Sequence, residues 1–117
     1  MEPVIELTTV PPYGTFHHLR GVVKNASPAE HRIVACIKVH GGWWVKPFWD
    51  APLTSIRGDG TFTAEVVTGG NDEEATELVA LLVPADYWPP QLSGVPALPE
   101  SLLAKAVARA GVERSPV

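Results

Sequence analysis

The chain has 117 residues, a net charge of −4 at pH 7, and a composition that is 45% hydrophobic and 19% charged. This length suits one domain, and the hydrophobic content excludes a disordered chain. The nine basic residues are scattered, which argues against a nucleic-acid or anionic-membrane partner, and no apolar run approaches the roughly 18 residues of a transmembrane helix.

Four strands are predicted in the first half of the chain. The first strand lies at the N-terminus. This segment lacks the basic and apolar regions of a signal peptide. The localisation stays open, and excision of the chain from a secreted protein is one of the alternatives. The run from Arg32 to His40 is apolar on both faces in its first half, which is typical of a central strand covered on both sides. Proline, glycine and asparagine separate the segments. The predicted strands are residues 3–10, 16–24, 32–40 and 43–46.

The second half is predicted to contain a hairpin, a further strand and a helix. Gly58-Asp59-Gly60 lies between two β-rich runs and suits a tight turn. Residues 76–84 include a continuous apolar run closed by proline, which favours a buried strand. Four prolines predict irregular, extended chain over residues 87–99. Pro99 is expected to start the helix, and Gly111 to end it.

Short strands at spacings of about 8–12 residues, with turn signals between them, predict the fold class. The prediction is an all-β fold, an antiparallel immunoglobulin-like β-sandwich of about seven strands over residues 1–98, with a barrel as the alternative. A C-terminal α-helix over residues 99–111 is expected to pack on the same domain.

The segment from His40 to Asp50 contains three of the four tryptophans, all within a stretch of seven residues. Neighbouring strand residues point to opposite faces, so one of Trp43 and Trp44 is expected in the core and the other at the surface. An exposed indole is a platform for the C–H face of a sugar, while nearby polar side chains bond the hydroxyls. The sequence leaves open that the tryptophans are core residues only. The candidate ligand-binding residues are Trp43, Trp44, Trp49, Trp88, Lys46 and Asp50.

No residue is predicted to be catalytic, and neither a cofactor nor a metal site is expected. The chain has no catalytic motif of the common hydrolase or metalloprotease kinds and no glycine-rich phosphate loop before a helix. Adjacent His17 and His18 point to opposite faces of a strand and cannot share a metal ion. The single cysteine, Cys36, lies in an apolar run and is interpreted as a buried hydrophobic residue. Calcium binding stays open for the acidic residues Asp59, Asp72 and Glu73.

Five short motifs stand between about residue 9 and residue 100: Pro12-Tyr13-Gly14, Trp43-Trp44-x-Lys46-Pro47, Asp59-Gly60-x-Phe62, Thr68-Gly69-Gly70 and Tyr87-x-Pro89-Pro90. With these motifs the chain resembles a small β-sandwich accessory domain of bacterial carbohydrate-active enzymes and other modular secreted proteins. The resemblance implies a non-catalytic, carbohydrate-binding module that works beside another domain. It transfers no ligand-binding residues to this sequence.

Three functions are compatible with these patterns. The leading hypothesis is a non-catalytic carbohydrate-binding module that recognises a polysaccharide or oligosaccharide through exposed aromatic residues. The alternative is a structural or protein-interaction β-sandwich domain without a glycan ligand, in which the aromatic residues form core or a docking surface for an adjacent domain or protein. The third is a small standalone enzyme in which His18 or His40 works with Glu30 or Glu65.

Overall fold

Two antiparallel β-sheets of unequal width pack face to face in the computed structural model, which describes residues 1–115. The strands are β1 (Val4–Thr9), β2 (Leu19–Lys24), β3 (His31–Val39), β4 (Gly42–Lys46), β5 (Thr61–Ala64), β6 (Glu77–Pro84), β7 (Ser93–Val95) and β8 (Ala108–Glu113). The narrow sheet has the order β1-β2-β5, and the wide sheet has the order β7-β4-β3-β6-β8. The described residues also form one α-helix, α1 (Glu100–Lys105), and two short 3-10 helices, Pro28–Glu30 and Asp72–Glu74. The predicted antiparallel β-sandwich with a C-terminal helix is confirmed.

The inner faces of the two sheets form the main core, because their strands alternate inward apolar and outward side chains. Ile33 and Ile37 of β3 are fully buried in one cluster with Leu19 and Phe62 of the narrow sheet. Gly21 permits this packing, since a β-carbon there would lie 2.6 Å from the Phe62 ring.

The wide sheet is covered on its outer face as well. Val34 and Cys36 of β3 form a second buried cluster with Trp43 of β4 and Leu102 of α1. The irregular chain after β6 adds Leu92 to this cluster. β3 is therefore the doubly covered central strand that its apolar pattern predicts. The helices of residues 1–115 fall short of the length and apolar character that a membrane-spanning helix requires.

Cys36 is expected to be chemically inert in the folded protein. Burial raises the pKa of its thiol to about 12, so the reactive thiolate is almost absent at neutral pH. The pKa of the Cys36 thiol is higher in the folded protein than in the unfolded chain. The thiol therefore contributes its full stabilisation at pH values below the pKa of the unfolded chain, and this contribution is lost as the pH rises through about 12. Ellman's reagent at pH 8 should label no thiol in the native protein and one per chain after denaturation in guanidinium. Rapid native labelling would show that Cys36 is accessible.

The helix predicted over residues 99–111 is present only in its first half. It ends at Lys105, and β8 follows as an edge strand antiparallel to β6. Strand β6 would otherwise leave backbone groups unpaired along this edge, and β8 pairs with six of its residues. Gly111 also weakens a helix in this segment. Sheet pairing thus overrides the helical pattern and places three alternating side chains against the main core: Ala108, Ala110 and Val112.

The hairpin predicted around Gly58-Asp59-Gly60 forms its turn but only its second strand. Thr54 instead bridges to Ile33 of β3 through backbone hydrogen bonds of 2.9 and 2.8 Å. The Asp59 carboxylate holds the turn by accepting bonds from the hydroxyl and backbone N–H of Thr61, and these bonds lower the pKa of Asp59. The first strand is missing because the chain crosses from the wide sheet to the narrow one in this segment.

Candidate functional site

A groove lies along the inner face of β4, at the edge where the narrow sheet leaves the wide sheet uncovered. Trp44 and Lys46 pair with Ile37 and Ala35 of β3, so they belong to the same face as the main core. Trp44 nevertheless keeps 39% of its surface exposed. The groove has a volume of about 560 Å³, which lies within the usual range of small-ligand sites.

Three segments form the walls of the groove. The first is the turn from His40 to Gly42 that joins β3 to β4, the second is the loop of residues 68–72, and the third is β7 with Pro96 beyond it. All three walls contain glycine, so few side chains narrow the opening. These glycines are Gly41, Gly42, Gly69, Gly70 and Gly94.

The indole of Trp44 lies against the backbone of β7. Gly94 has a φ of 78°, and a β-carbon there would lie 3.3 Å from the Trp44 ring. Gly42 is equally constrained, because its β-carbon would lie 2.7 Å from the α-carbon of Gly94. The two glycines therefore let β4 and β7 approach closely, so that β7 supports an indole that still lines the groove.

A buried ion pair lines the groove beside Trp44. The Lys46 ammonium donates to the Asp72 carboxylate and, at 3.0 Å, to the hydroxyl of Thr68. Thr68 in turn donates its backbone N–H to Oδ2 of Asp72 at 3.0 Å. Lys46 and Asp72 are each 8% exposed, so their attraction is screened little by water. The pair ties the loop of residues 68–72 to β4.

The same ion pair keeps hydrogen-bonding capacity for a ligand. An ammonium has three N–H donors, and Lys46 uses two of them on Asp72 and Thr68. Within the described chain, every hydrogen bond to the Asp72 carboxylate goes to Oδ2, which leaves Oδ1 as an acceptor. A donor and an acceptor therefore lie together, two residues along β4 from the Trp44 indole.

A second, more exposed pair forms the rim of the groove. Nε2 of His40 lies 2.9 Å from Oε1 of Glu74, and 62% and 41% of the two side chains are exposed. This contact joins the β3–β4 turn to the 3-10 helix after the loop of residues 68–72. The rim is therefore polar, in contrast to the indole inside.

Arg114 forms hydrogen bonds to the chain next to the loop of residues 68–72. Its guanidinium is buried, and burial lowers its pKa, although an arginine stays protonated in proteins. It donates hydrogen bonds of 2.8 to 3.3 Å to four backbone carbonyls, those of Pro11, Pro12, Glu73 and Ala75. These hydrogen bonds connect the residue after β8 to the loop after β1 and to the segment that leads into β6.

Searches against protein-family models, curated proteins and solved structures found no match to this chain. Its function is therefore inferred from the groove and from the exposed side chains elsewhere on the surface.

The structure separates the two neighbouring tryptophans. Trp43 is 7% exposed and packs in the outer-face cluster, beside a smaller cavity of about 380 Å³. Lys38 lies 5.9 Å from the centre of its ring. Trp43 is thus a core residue, whereas Trp44 lines the groove.

The other predicted binding residues lie elsewhere on the surface. Trp49 and Asp50 belong to the loop after β4, and Trp88 belongs to the irregular chain after β6. Trp49 is 66% exposed and Trp88 is 60% exposed. All three are described residues, and none of them lines the groove. Of the six candidates, the structure brings only Trp44 and Lys46 together in one cavity.

Sequence reasoning missed one wall of the site, the loop of residues 68–72. Its composition is the signal that was available: two glycines follow Thr68 and precede Asn71 and Asp72, so short polar side chains stand on a loop with little bulk. The pairing of Asp72 with Lys46, 26 residues away in sequence, has no local signature.

The acidic and histidine residues are dispersed. Up to Ser115, no group of three or more His, Cys, Asp or Glu side chains could hold a metal ion. Asp59 and Asp72, two of the candidate calcium ligands, are bonded to protein groups in their surroundings. His40 pairs with Glu74, which is neither of the carboxylates that the sequence suggested as its partner.

Proposed function

We propose that the protein is a non-catalytic carbohydrate-binding module and that the groove along β4 is its binding site. The observation that carries this proposal is the accessible indole of Trp44 beside the open donor and acceptor of the Lys46–Asp72 pair. A sugar presents an apolar face of C–H groups bordered by hydroxyls, so it requires both kinds of surface in one site.

The polar groups suit a pair of neighbouring hydroxyls. A hydroxyl both donates and accepts hydrogen bonds, so one can accept from Lys46 while the next donates to Oδ1 of Asp72. Thr68 and Asn71 add neutral polar groups to the same cavity. Partly buried hydrogen bonds from Thr68 hold the ion pair in place before a ligand arrives, and such preorganisation reduces the entropy lost on binding.

The strand order supports the finer, immunoglobulin-like description of the fold. In that architecture the first, second, fourth and fifth strands form one sheet, and the third, sixth and seventh form the other. Strands β1, β2 and β5 correspond to the first set, and β3, β6 and β8 to the second. In this assignment β4 and β7 are both additional strands of the wide sheet, and the narrow sheet has no counterpart of the fourth strand among the described residues.

Replacing Trp44 with leucine is expected to weaken glycan binding about 5- to 150-fold, because a lost stacking platform costs about 1–3 kcal/mol by analogy with base–aromatic stacking. Leucine preserves an apolar contact with β7 but lacks the flat aromatic face. Affinity gel electrophoresis through soluble polysaccharides measures the change, and circular dichroism of the variant establishes that it is folded.

Trp88→Leu is the matched control, because Trp88 is an exposed indole outside the groove. It should bind like the wild type. Loss of binding in Trp88→Leu or Trp49→Leu, with Trp44→Leu unaffected, would move the site to the exposed loops. Wild-type affinity in all three variants would reject sugar stacking by these side chains.

A protein-interaction role is the second candidate, and exposed aromatic residues outside the groove favour it. Phe48, Trp49 and Trp88 are 49%, 66% and 60% exposed. Large exposed apolar side chains are enriched where proteins meet. If no polysaccharide retards the protein in the gels, this role becomes the better account of the aromatic residues.

A further inference from the structure

We infer that the groove takes an uncharged glycan, and not a uronate, a sulfated sugar or a sugar with a free, protonated amino group. The inference rests on the proposed function and adds the chemical class of the ligand. It is carried by the charge balance of the groove, whose charged side chains are already paired with each other.

The charged lining of the groove is a single ion pair. Among the described residues that line it, Lys46 and Asp72 are the charged ones, and they form a salt bridge in which 10% and 11% of the two side chains remain exposed. His40 at the rim is bonded to Glu74. These contacts leave neither Lys46 nor Asp72 as a free counter-ion for a ligand.

A charged substituent would meet repulsion from one member of the pair. A carboxylate or sulfate that reached the open N–H of Lys46 would also lie close to the Asp72 carboxylate. An ammonium that reached Oδ1 of Asp72 would lie close to Lys46. On entering the groove, either charged group would also lose its hydration without gaining a full counter-charge. This loss is unfavourable in a partly buried site.

The rest of the polar lining is neutral and works in both directions. The Thr68 hydroxyl donates to Oδ2 of Asp72 at 3.3 Å and keeps capacity to accept a hydrogen bond, whereas the Asn71 amide can both donate and accept. A chain of neutral sugars offers hydroxyls that also do both. An anionic or cationic substituent performs only one of these roles, so it would satisfy fewer of the groups in the groove.

Affinity gel electrophoresis of the wild-type protein with neutral and charged polysaccharides tests the inference. The neutral set is hydroxyethylcellulose, mixed-linkage β-glucan, galactomannan and glycol chitin. The charged set is carboxymethylcellulose, alginate, polygalacturonate and glycol chitosan. We expect at least one neutral polysaccharide to retard the protein, and at least tenfold weaker retention by its charged counterparts. The dissociation constant for the neutral ligand should change less than twofold between 20 and 500 mM NaCl, since salt screens charge–charge contacts.

Stronger retention by a charged polysaccharide, or an affinity that falls more than fivefold as salt rises, would overturn the inference and leave the proposed function in place. No retention by any polysaccharide would reject the proposed function, and the inference with it. These readouts use the wild-type protein, so they do not depend on the folding of a variant.

Asp72→Asn offers an independent measurement. It nearly preserves the shape of the side chain but removes the negative partner of Lys46, so the groove gains a net positive charge. The folded variant should bind the anionic polysaccharides at least threefold better than the wild type, with an affinity that falls as salt rises. A folded variant without this gain would contradict the charge-balance argument.

Discussion

Lys46→Met is expected to lower the free energy of unfolding by about 3–5 kcal/mol, the usual effect of removing one partner from a buried ion pair. Methionine fills similar space but leaves the Asp72 carboxylate buried, with Thr68 as its remaining donor. A buried charge without a counter-ion is strongly unfavourable, because its lost hydration is not replaced. Guanidinium denaturation monitored by circular dichroism measures the change.

Lys24→Met is the matched control for this experiment. Lys24 forms a salt bridge with Glu6, but 57% and 49% of the two side chains are exposed, and such surface pairs contribute about 1 kcal/mol or less. The double variant Lys46→Met/Asp72→Leu removes both buried charges and should recover part of the lost stability. If Lys46→Met were as stable as the wild type, Asp72 would have to be well hydrated in the groove.

Arg114→Met is expected to lower the free energy of unfolding by about 2–4 kcal/mol, since each buried polar group left unpaired costs about 1–3 kcal/mol. The substitution keeps much of the apolar stem but removes every bond that the guanidinium donates. The bonds to the carbonyls of Pro11 and Ala75 are the buried ones. Thermal and denaturant unfolding should both report the loss.

Arg114→Lys should be nearly as destabilising, because one ammonium cannot reproduce the planar fork of donors that reaches several carbonyls at once. Arg20 is an exposed arginine, so Arg20→Met is the control, with an expected change within about 0.5 kcal/mol. Wild-type stability in both Arg114 variants would mean that the carbonyls find other partners, such as water.

Lys46 and Arg114 act on neighbouring parts of the chain. Lys46 holds the loop of residues 68–72 to β4, and Arg114 holds the carbonyls of Glu73 and Ala75 just beyond it. One wall of the groove is therefore fixed from two directions by buried, hydrogen-bonded cations. This explains how a loop with two adjacent glycines can present Thr68 and Asp72 in defined positions.

Local sequence patterns predicted most of the strands. β1, β2, β3, β4 and β6 lie within or close to the predicted segments, because alternation and apolar runs are properties of neighbouring residues. The same local signals failed for residues 106–113. Those residues carry a helical pattern ended by Gly111, but their conformation follows from the free edge of β6, which only the assembled sheet provides.

The candidate site was partly predictable. Neighbouring strand residues point to opposite faces, so the pair Trp43-Trp44 had to divide between two environments. Which of them became accessible depended on the other sheet and on the chain that covers the outer face. Three strands opposite five leave the inner face of β4 open beside Trp44, while α1 and the chain after β6 cover Trp43.

By itself the sequence determined an antiparallel all-β fold with a doubly covered central strand, because those features follow from the periodicity of neighbouring side chains; the tertiary structure decided that the strands form a sandwich and not a barrel. It also placed an unusual share of the aromatic surface around β4. Only the tertiary structure decided that Trp44, Lys46 and Asp72 share one cavity, since the groove arises from the unequal widths of two sheets and from contacts between residues far apart in the chain. No local pattern contains that information.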